Sequence, residues 1–397
     1  MDERYEAVAA LAVHGANVQP GQVVYVNAFL GQEELARAVA VAAYRRGAVF
    51  VDANYFDPLV KRARIEHADP ETLDFVPSWY GARIDALGER RDARINLAGI
   101  THPGALDGLD PALAGRDQLP YLKEVPRVVG ERTTNWAIVP CAHRAWAKLV
   151  HPKLDDDAAY EKLWEELWHV LRLDADDPAR AWDERMETLR ANADALASHR
   201  FDAIELNGPG TDLTVGLLPT AMWWAADFTT VDGLRHFPNL PTEEVFTTPD
   251  PERTNGHVTA TTPLVLGDET IIRGLRVRFE NGRAVEIDAD ENADALRSKT
   301  QLDDGASRLG ELALVDREGR IGPLGTIFYN TLLDENAASH IALGSGFPFL
   351  VESDDAGRVN QSGTHVDFMI GSNELEVTGV TRDGDRVPIL RDGAWQI

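Results

Sequence analysis

The first part of the chain alternates short apolar runs with a segment of helical periodicity. The apolar, β-branched run Val23–Val26 predicts a buried strand, and Glu33–Arg46 follows with apolar residues at helical spacing. Val49–Val51 predicts the next strand. Strand, helix and strand joined by short links indicate a βαβ unit and a parallel sheet. With further strand candidates at Arg94–Ile100 and Trp136–Val139, this region is expected to form an α/β domain.

The pattern changes near residue 200. Two helices are predicted before it, at about residues 155–171 and Pro178–Ser198, and the aromatic stripe of the first indicates core packing. After Phe201, strand-like runs alternate with turns, including the hairpin signal Asn281-Gly282. We therefore expect an α/β domain with a parallel sheet over residues 1–200. A β-rich α+β catalytic domain is expected over residues 201–397.

Composition excludes several functional classes. The 397 residues include 39 Lys+Arg and 65 Asp+Glu, which gives a net charge of −26. This charge argues against nucleic-acid partners and against docking on anionic membranes. No apolar run is long enough to span a membrane, and the acidic start lacks a signal-peptide pattern, so we expect a cytoplasmic protein. Acidic residues dispersed along the chain favour a halophilic protein from a salt-rich cytoplasm.

Neither a nucleotide site nor a cysteine site is indicated. The turn after the first strand, Asn27–Gly31, lacks the three-glycine pattern of dinucleotide-binding folds, and no Walker lysine motif occurs. Cys141 is the only cysteine, which excludes a Cys-rich zinc site. Any metal site in the second half must therefore use histidines and carboxylates.

Two histidines of the second half have unusual neighbours. On a strand, His365 and Asp367 project from one face, about 7 Å apart along the pleat, and can converge on one metal or on two adjacent metals. His340 follows the small residues of Asp334–Ser339 and precedes an apolar run. Taken separately, a hydrogen-bonded His/Asp pair and a buried structural histidine are the commoner outcomes.

Two segments supply candidate carboxylates. Glu243 and Glu244 lie between a proline-bearing turn and an apolar strand start, and Glu311 stands at the head of another apolar run. An acid at the edge of a hydrophobic strand must be solvated, paired or bound to metal, because burying it without a partner is costly. Since acids are abundant in this chain, neither segment is diagnostic when taken separately.

The combination of these segments carries more information than each of them. In this order they resemble the thermophilic metallo-aminopeptidase family, which includes aminopeptidase T, aminopeptidase S and PepS types. The resemblance runs along nearly the whole chain. The matching segments are Thr134–Trp136, Gly208–Thr214, Asn239–Thr247, Leu309–Val315, Asp334–Gly344 and His365–Met369.

The resemblance implies a metal-dependent aminopeptidase that releases N-terminal residues from short peptides. It implies two divalent cations (Zn, Co or Mn), a hydroxide bridging them and a homodimer. Glu311 is expected to serve catalysis as well as metal binding, and which ligand bridges the cations stays open. The ligand set carried over from the family motifs is Glu244, Glu311, His340, His365 and Asp367.

Two positions leave the expected activity open. Glu243 is a candidate general base beside a ligand, although neighbouring residues of a strand point to opposite faces, so solvent exposure is the alternative. Phe347 stands where the family carries a tyrosine, seven residues after His340, so a hydroxyl near the metals is missing. A bimetal hydrolase of another substrate class and a noncatalytic metal- or peptide-binding relative are the alternative functions.

Overall fold

A computed structural model describes residues 2–117, 119–120, 122–266 and 270–397 of the chain. Across these residues, no helix combines the length and the apolar character needed to cross a membrane. The helices are α1 Glu3–Gly15, α2 Glu33–Arg45, α3 Pro58–His67, α4 Ser78–Arg90, α5 Pro111–Arg116, α6 Glu124–Gly130, α7 Arg144–Val150, α8 Asp156–Val170, α9 Pro178–His199, α10 Ala293–Lys299 and α11 Thr331–Asp334.

The strands outnumber the helices and concentrate after residue 200, as the sequence predicts. They are β1 Val23–Phe29, β2 Phe50–Phe56, β3 Ala93–Ala98, β4 Asn135–Pro140, β5 Ala203–Gly208, β6 Thr211–Leu217, β7 Trp224–Ala225, β8 Phe228–Thr229, β9 Arg235–His236, β10 Glu244–Thr247, β11 Pro249–Thr259, β12 Leu264–Val265, β13 Ile271–Ile272, β14 Arg276–Glu280, β15 Arg283–Asp288, β16 Leu309–Val315, β17 His340–Gly344, β18 His365–Met369, β19 Glu376–Val380, β20 Arg386–Arg391 and β21 Ala394–Trp395.

The α/β fold predicted for the first part of the chain is confirmed. Strands β1 to β4 form a parallel sheet in the order β2-β1-β3-β4. Helix α2 buries Leu35 and Val39 and contacts β1 and β2, as its apolar spacing predicts. Asp155 caps α8 by accepting a hydrogen bond from the Ala158 N–H, and the apolar stripe of this helix is buried.

The strand-rich second part contains two large antiparallel sheets, which confirms the predicted fold class. An eight-stranded sheet runs in the order β15-β14-β11-β6-β5-β19-β20-β21. Its β14–β15 hairpin turns at Asn281 and Gly282, both with positive φ, as the sequence signal predicts. A five-stranded sheet, which we call the ligand sheet, runs in the order β18-β17-β16-β10-β7.

The chain divides into two compact units. The first comprises Met1–Trp182 and Asp227–Pro241, and the second comprises Asp183–Ala226 and Thr242–Ile397. The segment Asp227–Pro241 belongs to the first unit because Ile138 on β4 bonds its backbone, donating to the Pro238 carbonyl and accepting from the Leu240 N–H. The boundary proposed near residue 200 from the sequence lies inside the second unit, and the two-domain division stays a prediction.

Candidate metal centre

Four neighbouring strands of the ligand sheet each present a candidate ligand. Glu244 and His340 are the first residues of β10 and β17, and Glu311 lies on β16 between them. His365 and Asp367 are the first and third residues of β18, at the edge of the sheet. The structure therefore brings the five sequence-predicted ligands onto adjacent strands of one sheet in the second unit.

Strand register places the ligands on one face of the sheet. Glu311 pairs with Ala342, which pairs with Asp367, so these three residues form one row across the strands. In the next row, His340 pairs with Ala313. Because residues paired across a ladder project to the same side, the small side chains of Ala342 and Ala313 leave room between the ligands.

The opposite face of the same strands is apolar. Leu312, Ile341 and Phe368 alternate with the ligands and are fully buried. On β18, Val366 and Phe368 are buried and alternate with His365 and Asp367, so the expected projection of these two candidate ligands from one face is confirmed. Burial of this face fixes the register, because a slip by one residue would turn the ligands into the core.

The five side chains meet in two overlapping groups. Oxygen and imidazole atoms of Glu244, Glu311 and His340 lie within 4.8 Å of one another, as do those of Glu311, His365 and Asp367. His340 Nε2 lies 3.2 Å from Glu244 Oε2, and His365 Nε2 lies 3.1 Å from Glu311 Oε2 and 3.2 Å from Asp367 Oδ1. Glu311 is the member that the two groups share.

Backbone carbonyls orient both imidazoles. His340 Nδ1 lies 3.1 Å from the Ala338 carbonyl oxygen, and His365 Nδ1 lies 2.8 Å from that of Ser345. A carbonyl only accepts hydrogen bonds, so each Nδ1 carries the proton and donates it. Both Nε2 atoms are thereby directed at the carboxylates with a lone pair available for a metal, which is the usual arrangement of metal-binding histidines.

Two carboxylate oxygens of the cluster depend on the imidazoles for compensation. Glu244 Oε2 and Asp367 Oδ1 are buried, and no hydrogen bond of good geometry reaches them from the described part of the chain. Each of them lies 3.2 Å from a histidine Nε2, so it is compensated while that imidazole holds a proton. Once the proton leaves, a buried acceptor of this kind is costly unless a cation binds it.

The electrostatics of the cluster also favour cations. Burial, followed by the charge of Asp367, raises the pKa of Glu311, although the hydrogen bond with His365 opposes this shift. Burial acts to lower the pKa of His340, but the adjacent Glu244 and the other carboxylates raise it to about 10. Burial also acts to lower the pKa of His365, but Asp367 and Glu311 raise it. Without metal, the cluster retains protons as its positive charge.

Glu335 is a functional candidate that the sequence analysis missed. It lies in the short 3-10 turn Glu335–Ala337 before β17, and burial together with the charges of Glu244 and Asp367 raises its pKa well above the usual range. Glu335 therefore adds a fourth carboxylate to the field of the cluster. The sequence signal that could have identified it is its place inside the family-like segment Asp334–Gly344.

Glu243 is not brought to the metal-ligand cluster. Its carboxylate is fully buried and accepts a 2.6 Å hydrogen bond from Arg185 Nε on α9, so the solvent-exposed alternative is wrong. Arg185 also donates to both oxygens of the buried Asp316, at 3.0 and 3.2 Å. The Glu243 N–H donates to Asn336 Oδ1, beside Glu335. Glu243 thus ties the strand carrying Glu244 to α9 and to the loop before His340.

Phe347 lies beside the cluster. Its ring centroid is 5.5 Å from that of His365 and 5.3 Å from that of Phe246. The aromatic ring therefore occupies the position that the family tyrosine is expected to take, against a ligand imidazole. What the chain lacks there is the hydroxyl.

Together, the fold and the cluster define a protein with an α/β first unit and a second unit carrying a histidine–carboxylate centre of the metalloenzyme type. The model of the thermophilic metalloprotease family (M29) matches residues 1–395. The chain belongs to this family of metallo-aminopeptidases. The expected resemblance and the expected enzyme class, a metallopeptidase acting on peptide bonds, are confirmed.

Similar proteins match along their whole length. Aminopeptidase T of Thermus thermophilus is 40% identical over 99% of this chain and 98% of its own. Aminopeptidase PepS of Streptococcus thermophilus is 36% identical over 100% of this chain and 98% of its own. The solved structure of wild-type AmpT from Thermus thermophilus superimposes with a TM-score of 0.93 at 39% identity, covering 100% of this chain and 99% of that chain.

Metal affinity should rise with pH. Since the pKa of His340 is about 10 in the metal-free protein, a cation must displace a proton at any lower pH. For each proton displaced, the apparent association constant of the metal should increase about tenfold when the pH rises by one unit, as long as the pH is below that pKa. Titration of metal-free protein with Mn²⁺ between pH 6 and 8, in buffers of different ionisation enthalpy, measures the affinity and the protons released. Affinity that is constant over this range would contradict proton displacement.

Replacing Arg185 should destabilise the protein strongly. Arg185→Met leaves Glu243 and Asp316 buried without their shared cation, and breaking a buried ion pair in this way costs about 3–5 kcal/mol. Denaturant unfolding at fixed KCl concentration measures the loss in the free energy of unfolding. The control is Arg278→Met, which removes an exposed arginine paired with Glu286 and should change stability little. Equal effects of the two substitutions would refute a structural role for the buried network.

Proposed function

We propose that the chain is a metal-dependent aminopeptidase that releases N-terminal residues from short peptides with the help of two divalent cations. The observation that carries the proposal is the pair of ligand groups that share Glu311. Two candidate ligands on each side of one shared carboxylate give three ligands to each group, which is what a pair of adjacent cations requires. The family, together with similar proteins named as aminopeptidases, supports the substrate class.

The ligand groups suggest how two cations would be held. Glu244 and His340 would bind one ion, His365 and Asp367 would bind the other, and Glu311 would bind both. With Glu335, the four carboxylates carry the charge that balances two divalent ions. Nitrogen and oxygen ligands without cysteine suit Zn, Co or Mn.

The residues of the chain have separable tasks in this proposal. When bound, the cations supply Lewis acidity to the scissile carbonyl and make hydroxide available between them near neutral pH. Glu311 sets the separation of the two binding positions, and its participation in both gives it the catalytic role expected from the sequence. The Ala338 and Ser345 carbonyls keep the imidazoles in their metal-binding tautomer. Because its carboxylate is engaged by Arg185, we assign Glu243 to positioning rather than to proton transfer.

Substrate selection follows from the chemistry of peptide ends. The free α-amino group of a peptide can bind a cation once it is deprotonated, whereas internal peptide bonds offer no such donor. A centre with an open coordination position therefore favours release of the N-terminal residue. A homodimer, implied by the resemblance, and a cytoplasmic location, expected from the sequence pattern, belong to the same proposal.

Removal of metal should abolish peptide hydrolysis. We expect two divalent cations per chain by elemental analysis, and loss of activity on aminoacyl anilides and short peptides after chelation. Zn, Co or Mn should restore the activity. His365→Ala removes a ligand of one group and should lower kcat/KM by about 100-fold or more, since even groups that only orient a ligand contribute 10–100-fold.

The matched control is His257→Ala. His257 is an exposed histidine of the same unit, outside both ligand groups, so its loss should leave activity and metal content unchanged. Activity that survives chelation or His365→Ala would refute the metal-dependent mechanism. Hydrolysis of phosphate esters in place of peptides would support a bimetal hydrolase of another class. Metal binding without any hydrolysis would support a noncatalytic relative.

Restoring the family hydroxyl should raise activity. Phe347→Tyr adds the oxygen while the ring keeps its contact with His365. A hydroxyl that serves the transition state contributes about 1–3 kcal/mol, equivalent to about 5- to 150-fold in kcat. Steady-state kinetics with one aminoacyl anilide measures the change. Phe349→Tyr is the control, because it adds the same hydroxyl to a neighbouring ring. Phe349 packs on Phe347 and follows it by two residues. An unchanged kcat in Phe347→Tyr would show that catalysis does not need this oxygen.

A further inference from the structure

The parallel sheet of the first unit has two unlike faces. One face carries Val24, Val26, Ile95 and other apolar side chains that are almost completely buried. Parallel sheets usually bury apolar residues on both faces. Here the second face carries two rows of mainly polar residues, which the β2-β1-β3 register aligns. The first row is Asp52, Tyr25 and Arg94, and the second row is Asn54, Asn27 and Asn96.

Most of the polar atoms of these rows satisfy one another. Asn54 Nδ2 donates to Asn27 Oδ1 at 3.2 Å, and Arg83 on α4 donates to Asn54 Oδ1 at 3.4 Å. Arg83 Nε also lies 3.3 Å from Asp52 Oδ2, and its guanidinium lies over the Tyr25 ring. The charges of Arg83 and Asp52 cancel.

Arg94 is the exception. Its side chain is 5% exposed, and its Nε has no hydrogen-bond partner. In the described residues, no carboxylate forms an ion pair with it, and its strand neighbours across the sheet are Tyr25 and Trp136. Burial lowers the pKa of Arg94, but only to about 10, so the guanidinium stays charged at neutral pH. A buried guanidinium without a partner is strongly destabilising. The chain has acids in excess, yet none of them pairs with Arg94 in the described residues.

A second polar residue lies beside Arg94 on the same face of β3. Arg94 is the second residue of this strand, so it lies toward the amino end of the sheet and not at the carboxyl ends where open parallel sheets usually bind ligands. Asn96 follows Arg94 two residues later, and its Oδ1 is buried without a partner. Two polar side chains with unsatisfied atoms therefore lie side by side on β3.

From this juxtaposition we propose that the first unit binds a small oxyanion, a carboxylate or a phosphate group, with Arg94 as its anchor. A guanidinium matches the paired oxygens of either group and binds them through two parallel hydrogen bonds. Asn96 brings no opposing charge, and its Nδ2 group can donate a hydrogen bond to the anion, whereas its Oδ1 is an acceptor and cannot. This site is formed by residues of the first unit, whereas the metal ligands belong to the second.

Thermal unfolding of the full-length, metal-loaded protein tests the proposal. Phosphate and acetate are titrated in separate arms against KCl at equal ionic strength. Binding to the folded state should raise the unfolding midpoint by a steady increment for each tenfold rise in anion concentration above the dissociation constant. A response to phosphate only, to acetate only or to both assigns the oxyanion. No response beyond that to KCl overturns the proposal.

Variants separate this site from the metal centre, which can also bind anions. Arg94→Met should lose the anion response, whereas His365→Ala should keep it. Arg37→Gln, which removes an exposed arginine of the same unit, should also keep it. A response in Arg94→Met equal to that of the unaltered protein overturns the proposal. Because the readout is stability, failure of the aminopeptidase proposal leaves this test intact.

A second variant keeps the test decisive if Arg94→Met does not fold. Asn96→Asp places a carboxylate two residues from Arg94 on the same face. This carboxylate should pair with the guanidinium, raise the midpoint in KCl and suppress the response to added anion. An Asn96→Asp protein with the full anion response overturns the proposal.

Discussion

Mutual repulsion among buried carboxylates is the constraint on which the second unit depends. Glu244, Glu311 and Asp367 lie on one face of the ligand sheet, and burial together with their charges raises the pKa of Glu335 well above its usual range, so Glu335 holds a proton. Carboxylates this close together cannot all be ionised unless positive charge is supplied. Protons held on the two imidazoles supply part of it, and divalent cations can supply all of it. The stability of this unit and its chemistry are therefore linked through the same ions.

The rest of the unit keeps that repulsion in a fixed geometry. Apolar side chains on the opposite face hold the register, and Ala313 and Ala342 provide the space between ligands. Arg185 then fixes the strand of Glu244 from behind by pairing with Glu243 and Asp316. Binding geometry in such centres depends on groups outside the ligand set, because a ligand that is free to rotate contributes less affinity.

Sequence patterns predicted the features that depend on neighbouring residues in the chain, such as strands and turns. The β-branched run at Val23–Val26 and the Asn281-Gly282 turn became a strand and a hairpin, and the ligands were found through family motifs. Patterns could not reveal that two ligand groups share Glu311, because that depends on the register of three strands. Nor could they pair Glu243 with Arg185, which lies 58 residues away, or place Arg94 without an acidic partner. Each of these depends on contacts that no local period encodes.

The balance of buried charge distinguishes the three polar clusters discussed above. In the Arg185 network the chain supplies both signs itself, and the result is structural. At the candidate metal centre the chain supplies three carboxylates against two imidazoles, so negative charge is in excess. At Arg94 the imbalance has the opposite sign. Because folding penalises an uncompensated charge, a side chain that stays buried and unpaired implies a compensating group from solution. By this argument the sign of the imbalance gives the sign of the ligand, cations for the second unit and an oxyanion for the first.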